Sequence, residues 1–142
     1  MSTRRGSRAT PPLLRAAAFV PLALQAVGFT LWLRWRFLRC SVEGQSMLPS
    51  LAPGDWLIAD RGSSRNYRPR AGDVVLARDP RNRERLLVKR VDHVDLHNQV
   101  WLAGDNPAAS TDSRVFGAVP PDAVVGRVRW RYWPISRLSS VD

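Results

Sequence analysis

The sequence predicts a mainly β protein in which one compact, antiparallel, barrel-like β domain follows a single apolar helix. Two observations support this prediction. From Leu38 onward, short runs with β propensity alternate with Gly, Pro and Asp at intervals of roughly ten to fifteen residues. Before that point the chain has one uncharged apolar stretch, residues 16–33. With 142 residues, 44% of them hydrophobic, the chain can form one core but not two.

The N-terminal part is expected to contain an arm and a membrane anchor. Residues 1–15 are rich in Arg, Ser, Thr and Pro without apolar periodicity, which predicts a disordered basic arm. Residues 16–37 are interpreted as a transmembrane anchor with its juxtamembrane segment, because about eighteen uncharged residues form a helix of roughly 27 Å. Arg34 and Trp35 follow the apolar run directly, where a cleavable signal would have small residues. An amphipathic surface helix and a core helix are the alternatives.

Five runs within residues 38–134 have the length and composition of strands. They are WLIAD (56–60), DVVLAR (73–78), LLVKRV (86–91), VWLA (100–103) and VVGRVRWRYW (124–133). Gly-Asp pairs beside three of the runs predict turns. In the last run, alternation places Val128, Trp130 and Tyr132 on one face and Arg127, Arg129 and Arg131 on the other. This pattern predicts a half-buried strand with a solvated basic face, and contact of that face with headgroups or nucleic acid is the alternative. Residues 135–142 are expected to form a C-terminal tail outside this domain.

Charge and composition define the partners to consider. A net charge of +10 and a pI near 11.5 favour a polyanion, either an anionic membrane or nucleic acid. The single cysteine, Cys40, forms no internal disulfide, and no Cys/His cluster predicts a metal site or a cofactor. His93 and His97 are interpreted as surface histidines. One alternative function is therefore a noncatalytic, basic β-barrel module that binds nucleic acid or an anionic membrane.

Lys89 is the only lysine among 22 Lys and Arg residues. A guanidinium group cannot lose its proton at working pH, whereas a buried lysine amine can become neutral, so an isolated lysine indicates a need for deprotonation. Alternation in its strand places Lys89 on the face of Leu87 and Val91, where a charge is costly to keep. A lysine that extends its amine to solvent at the strand end is the structural alternative.

Two polar segments complete the candidate site. Ser46 lies in EGQSMLPSLAPGDWL, between Gly44 and Pro49, on a turn that can expose its hydroxyl group. The segment lacks a GxSxG elbow, and no histidine is well placed for a triad. The segment AGDNPAASTDSRVFGAV is unusually polar, and ordinary turn chemistry also explains most of it.

Together these segments resemble the conserved boxes of the type I signal peptidase family, in that family's order. The matching stretches are EGQSMLPSLAPGDWLIAD, then RPRAGDVVLA with LLVKRV, then LAGDNPAASTDSRVFGAVP, within residues 42–128. The resemblance implies a serine endopeptidase with a Ser/Lys dyad, in which Ser46 is the nucleophile and Lys89 the general base. It also implies that backbone N–H groups near Ser46 form the oxyanion hole, that Ser110 orients the lysine amine, and that Asp112 and Arg114 support the site.

The same resemblance implies a substrate and a location. The substrate would be a precursor protein with an N-terminal leader, and the lipid bilayer would be a partner, with no nucleic acid and no cofactor. The protein would be a single-pass cell-membrane protein whose catalytic domain lies on the extracytoplasmic side. Only 14 residues lie between Lys89 and Gly104, so the large inserted domain of some members is absent. With RYWP at 131–134, the chain resembles the small actinobacterial-type peptidases associated with maturation of nickel-containing superoxide dismutase. A general leader peptidase and an orphan relative are the alternatives.

Overall fold

The computed structural model describes residues 12–61 and 67–141, with the backbone alone for residues 12–22. The chain divides between Arg34 and Trp35 into two compact units. The second of these, described over residues 35–61 and 67–141, contains the β structure and is called the sheet unit below.

Helix α1 spans Pro12–Arg36. It begins within the expected disordered arm, so residues 12–15 are helical, while residues 1–11 lie outside the described part of the chain. Proline suits a first helical position, because the N–H that it lacks would have no helical partner there. No helix of the described residues is both long and apolar enough to cross a membrane. For the predicted anchor, the side chains of residues 16–22 lie outside the described part.

Seven strands form one antiparallel sheet in the described residues. They are β1 (Phe37–Ser41), β2 (Trp56–Asp60), β3 (Val74–Asp79), β4 (Asn82–Val94), β5 (Val100–Ala103), β6 (Val124–Trp133) and β7 (Ser139–Ser140). Their order is β1-β2-β6-β3-β4-β5, and β7 pairs with β6. The mainly β class is therefore confirmed, but the predicted barrel-like closure is wrong. The sheet is open because no pairing joins its end strands, β1 and β5, within the described residues.

The five predicted strands are all present. Strands β2, β5 and β6 begin and end at the predicted residues, and β3 is displaced by one residue. Strand β4 is longer than predicted, because the pairing with β3 continues to Asn82 and the pairing with β5 continues to Val94. Among the described residues, four short helical segments connect the strands: 3₁₀ turns at Pro107–Ala109, Pro121–Ala123 and Ile135–Arg137, and helix α2 at Ser113–Phe116.

The C-terminal segment belongs to the sheet unit rather than to a separate tail. Ser139 pairs with Arg131, and Val141 is buried in the core. Two arginines hold this segment to the turn before β2, since Arg137 Nη1 and Arg131 Nη1 lie 3.1 and 3.3 Å from the carboxylate of Asp55. Asp55 is fully buried, and its two arginine partners replace the solvation that the carboxylate loses. The expected tail is therefore part of the sheet unit.

Buried side chains form two hydrophobic clusters, one on each face of the sheet. Strand β3 contributes Val74 and Leu76 to the first cluster and Val75 and Ala77 to the second. Because successive side chains of a strand point to opposite faces, β3 is covered on both sides. Burial of each Val or Leu side chain stabilises the folded state by about 1.5–3 kcal/mol, so β3 is a well-packed support for its neighbour β4.

The predicted alternation in β6 is only partly confirmed. Val128 is fully buried, as predicted, but Trp130 is 47% exposed. The register between β2 and β6 shifts between Ile58 and Ala59, and a bulge of this kind changes the direction of the following side chains. Arg131, expected on a solvated face, has a side chain that is only 13% exposed.

Candidate active site

Lys89 is a buried lysine on strand β4. It pairs with Val75 of β3 and is 3% exposed. Leu87 and Val91, on the same face of β4, are also buried, which confirms the predicted apolar surroundings. Burial lowers the pKa of the Lys89 amine below its ordinary value, the carboxylate of Asp112 opposes this shift, and the guanidinium of Arg114 adds to it. The Lys89 amine therefore loses its proton more easily than the amine of an exposed lysine.

A chain of hydrogen bonds connects Lys89 to a buried carboxylate. Lys89 Nζ donates to Ser110 Oγ at 2.9 Å, and Ser110 Oγ donates to Asp112 Oδ2 at 2.7 Å. Because the Ser110 proton points toward Asp112, the lone pairs of Ser110 face Lys89. An amine that donates one proton to Ser110 keeps its own lone pair for another partner.

Asp112 is the anchor of this chain. Its carboxylate accepts hydrogen bonds from Arg114 Nε at 2.8 Å, Arg114 Nη2 at 2.6 Å and the backbone N–H of Gly104 at 2.9 Å. The Arg114 guanidinium holds the pKa of Asp112 well below its usual range, and the hydrogen bonds from Ser110 and Gly104 add to this effect. Asp112 is also the N-cap of helix α2, a position that favours aspartate. These contacts keep the Asp112 carboxylate ionised and fixed in position.

Ser46 lies in the connection between β1 and β2. The next residue, Met47, and Leu51 are fully buried, and the N–H of Leu51 donates to the carbonyl oxygen of Met47 at 2.8 Å. These apolar anchors fix the turn while Ser46 itself is half-buried. Ser46 and Lys89 both line one cleft of about 400 Å³. The structure thus brings the two candidate reactive side chains to a shared surface.

Gly104, at the end of β5, allows the closest packing in the site. A Cβ atom built on Gly104 would lie 2.5 Å from the carbonyl oxygen of Ser46 and 2.6 Å from Ser110 Cβ, and would overlap Ser110 Oγ. The following loop also binds the Ser46 turn, since the N–H of Asn106 donates to the carbonyl oxygen of Ser46 at 2.9 Å and Asn106 Nδ2 donates to the carbonyl oxygen of Gln45 at 3.2 Å. Residues 104–106 therefore place Ser46 against Ser110.

The neighbouring Gly-Asp and Lys-Arg pairs have structural roles in this arrangement. Arg90 forms a two-pronged ion pair with Asp105, with Nε–Oδ1 and Nη2–Oδ2 distances of 2.8 and 2.9 Å. This pair fixes the end of β5 to β4 beside Lys89. Gly54 and Gly72 have positive φ angles of 88° and 93°, which confirms the turns predicted there.

The remaining candidate groups lie outside this arrangement or are unreactive. His93 and His97 are exposed, as predicted, and neither lines the cleft of Ser46. His93 instead stacks on Trp101 with ring centroids 5.4 Å apart. Cys40 lines the cleft, but burial raises the pKa of its thiol to about 11, so the thiolate is scarce at neutral pH.

Sequence reasoning identified Ser46, Lys89, Ser110, Asp112 and Arg114 as site residues, and the structure brings these five together. It did not assign roles to Gly104 and Asn106, which were seen only as parts of a turn motif. Their roles depend on contacts with the Ser46 turn. The only sequence signal for them was the high density of polar residues in the segment that contains Gly-Asp-Asn.

Comparison with known proteins agrees with this geometry. Residues 16–95 and 96–133 match the family model described as signal peptidase, peptidase S26. A relative from Arabidopsis thaliana, mitochondrial ATP-independent inner membrane protease subunit 1a, is 37% identical, and the match covers 66% of this chain and 68% of the relative. Mitochondrial inner membrane protease subunit 1 of Homo sapiens is 32% identical, with 66% and 68% covered, and subunit 2 of Danio rerio is 32% identical, with 71% and 67% covered. The chain therefore belongs to the signal peptidase family, peptidase S26.

Proposed function

We propose that this protein is a membrane-anchored serine endopeptidase that removes N-terminal leaders from precursor proteins, with Ser46 as nucleophile and Lys89 as general base. One observation carries the proposal. Lys89 is buried, its amine donates a hydrogen bond to Ser110 Oγ at 2.9 Å, and the residue lines the same cleft as Ser46. A cationic lysine would gain little from such a position, whereas a neutral amine there can accept a proton.

The proposed reaction proceeds through an acyl-enzyme. Neutral Lys89 takes the proton of Ser46 as the Ser46 oxygen forms a bond to the peptide carbonyl carbon. Backbone N–H groups at Ser46 stabilise the oxyanion of the tetrahedral intermediate. The Lys89 ammonium then gives its proton to the leaving amine as the C–N bond breaks. The amine that leaves is the shortened precursor, and the leader stays bound to Ser46 as an ester. Lys89 next takes a proton from the attacking water and returns it to Ser46 Oγ as the ester breaks, which releases the leader with a new carboxylate.

Strand β4 offers an edge for an extended substrate. The pairing of β4 with β5 covers Arg90 to Val94, so residues 86–89 pair only with β3 in the described part of the chain. Residues 85–89 all line the cleft. A leader peptide can add to this edge as a further strand, which would pass its carbonyl groups beside Lys89 and Ser46.

Helix α1 is proposed as the membrane anchor, with the sheet unit on the extracytoplasmic side. Large apolar side chains of α1, including Leu24, Phe29 and Leu31, are exposed, and Trp35 near its end suits a membrane interface. The names of the relatives place those proteins at an inner membrane. An anchored enzyme would meet leaders that are themselves held at the bilayer.

We expect Ser46→Ala to lower the rate of leader cleavage by about 10⁴-fold or more, because no other group replaces the nucleophile. The full chain in detergent would be incubated with leader-bearing precursors, including that of a nickel-containing superoxide dismutase, and the cut positions read by mass spectrometry. Ser140→Ala, at an exposed position in β7, is the matched control and should cut like the wild type. Cleavage by Ser46→Ala at the wild-type rate would overturn the proposal. Restriction of cleavage to the dismutase precursor would indicate a dedicated maturation peptidase.

A further inference from the structure

Two arginines lie in the cleft beside the candidate catalytic pair. Arg81, on the turn between β3 and β4, and Arg85, on β4, line the same cleft as Ser46 and Lys89. Both guanidinium groups act on Lys89: after burial and Arg114, Arg85 and Arg81 are the next groups that lower its pKa. Positive charge is therefore concentrated close to the amine.

The two arginines differ in their partners. Arg81 is fixed by a two-pronged ion pair with Asp79, at 2.9 and 2.8 Å, and its guanidinium lies 5.5 Å from the ring centroid of Phe116. Arg85 is exposed and takes part in none of the ion pairs recorded for the described residues. Glu43, in the segment after β1, is the acidic residue among the described residues that line the cleft, and it too is absent from those ion pairs. Arg85 is thus available to an incoming anion.

The position of Arg85 on β4 fixes its distance from the reactive groups. Arg85 lies four residues before Lys89 on β4, so the two are at most about 13 Å apart along the strand, at about 3.3 Å per residue. A peptide that adds to this edge has the same spacing. Its residue about four positions from the scissile bond would therefore lie beside Arg85.

We propose that Arg85 determines specificity by binding a carboxylate side chain of the substrate about four residues from the scissile bond, with Arg81 adding positive potential. This inference rests on the proposed function, since it requires a peptide in the cleft. A guanidinium group offers a planar pair of donors that matches a carboxylate. Substrates of this peptidase are accordingly precursors with Asp or Glu near the cleavage site.

Paired peptides test this assignment. Two peptides that differ only by Glu or Gln are made for the fourth position on each side of the scissile bond. The measured quantities are kcat/KM with the full wild-type chain in detergent and Kd with the Ser46→Ala variant. We expect the Glu peptide to be favoured about fivefold on one side, as for a solvent-accessible ion pair. Arg85→Gln should abolish the preference, and Arg85→Glu should reverse it. Arg83→Gln, on the same strand but beside a different cavity, should keep it.

The design separates this inference from the proposed function. Each Glu/Gln ratio is taken within one enzyme, so an effect of Arg85 on Lys89 or on folding cancels. Equal rates and equal Kd values for the two peptides on both sides would overturn the assignment, as would a preference that survives Arg85→Gln. Wild-type cleavage by Ser46→Ala would instead overturn the proposed nucleophile, while peptide binding would still report whether Arg85 selects a carboxylate.

Discussion

Replacement of Lys89 by methionine is expected to lower kcat/KM for leader cleavage by about 10³-fold, within the range of general-base catalysis. Lys89→Arg is expected to lose as much activity, because a guanidinium group keeps its proton. Methionine suits the apolar surroundings of Leu87 and Val91, so Lys89→Met should be at least as stable as the wild type. Lost activity without lost stability separates a catalytic role from a structural one.

The pH dependence follows from the lowered pKa of Lys89. The base form increases with pH, so kcat/KM should rise with an inflection below the ordinary value of 10.5. Between the two pKa values the unfolded chain binds more protons at this lysine than the folded protein, so stability also rises with pH there. Thermal unfolding from pH 6 to 9 should show this rise in the wild type and a smaller one in Lys89→Met. Activity retained in Lys89→Arg would contradict this role for the amine.

Gly104→Ala is expected to damage both activity and stability. The new methyl group would lie 2.5 Å from the carbonyl oxygen of Ser46 and would overlap the Ser110 side chain, so the Ser46 backbone must move. We expect a loss of about 1–3 kcal/mol in the free energy of unfolding from overpacking. The resulting displacement of Ser46 should lower kcat/KM by about 10²-fold.

Gly44→Ala is the matched control for stability, because a Cβ atom at Gly44 would meet nothing within 4 Å. Denaturant unfolding and cleavage of one leader peptide would be measured for both variants. Wild-type stability and activity in Gly104→Ala would show that the Ser46 turn and the Ser110 loop are not held together as described.

Much of the fold and the site could be predicted because the signals are local. The alternation LLVKRV places Lys89 on a buried face without any long-range information, and the structure bears this out. The strands β2, β5 and β6 are bounded by Gly, Pro or Asp, which mark their ends in the sequence. The five site residues came from motif resemblance, which encodes a three-dimensional arrangement that spacing alone does not give.

Other features depend on contacts between distant segments. Strand β1 follows the apolar helix without a turn signal, and β7 is two serines whose strand character comes only from pairing with β6. The exposed position of Trp130 follows from a register shift against β2, which alternation cannot reveal. Long-range contacts also decide which strands lie at the ends of the sheet, and therefore whether the sheet is open or closed. The role of Gly104 arises from its approach to Ser46, 58 positions earlier in the chain.

Direct detection of the acyl-enzyme tests the central claim. The full chain would be mixed with an ester analogue of a leader peptide that it cleaves, quenched in acid, digested, and mapped by mass spectrometry. Our mechanism predicts an acyl group on Ser46 and none in the Ser46→Ala variant. An acyl group on another residue, or hydrolysis by Ser46→Ala at the wild-type rate, would contradict the Ser46/Lys89 mechanism.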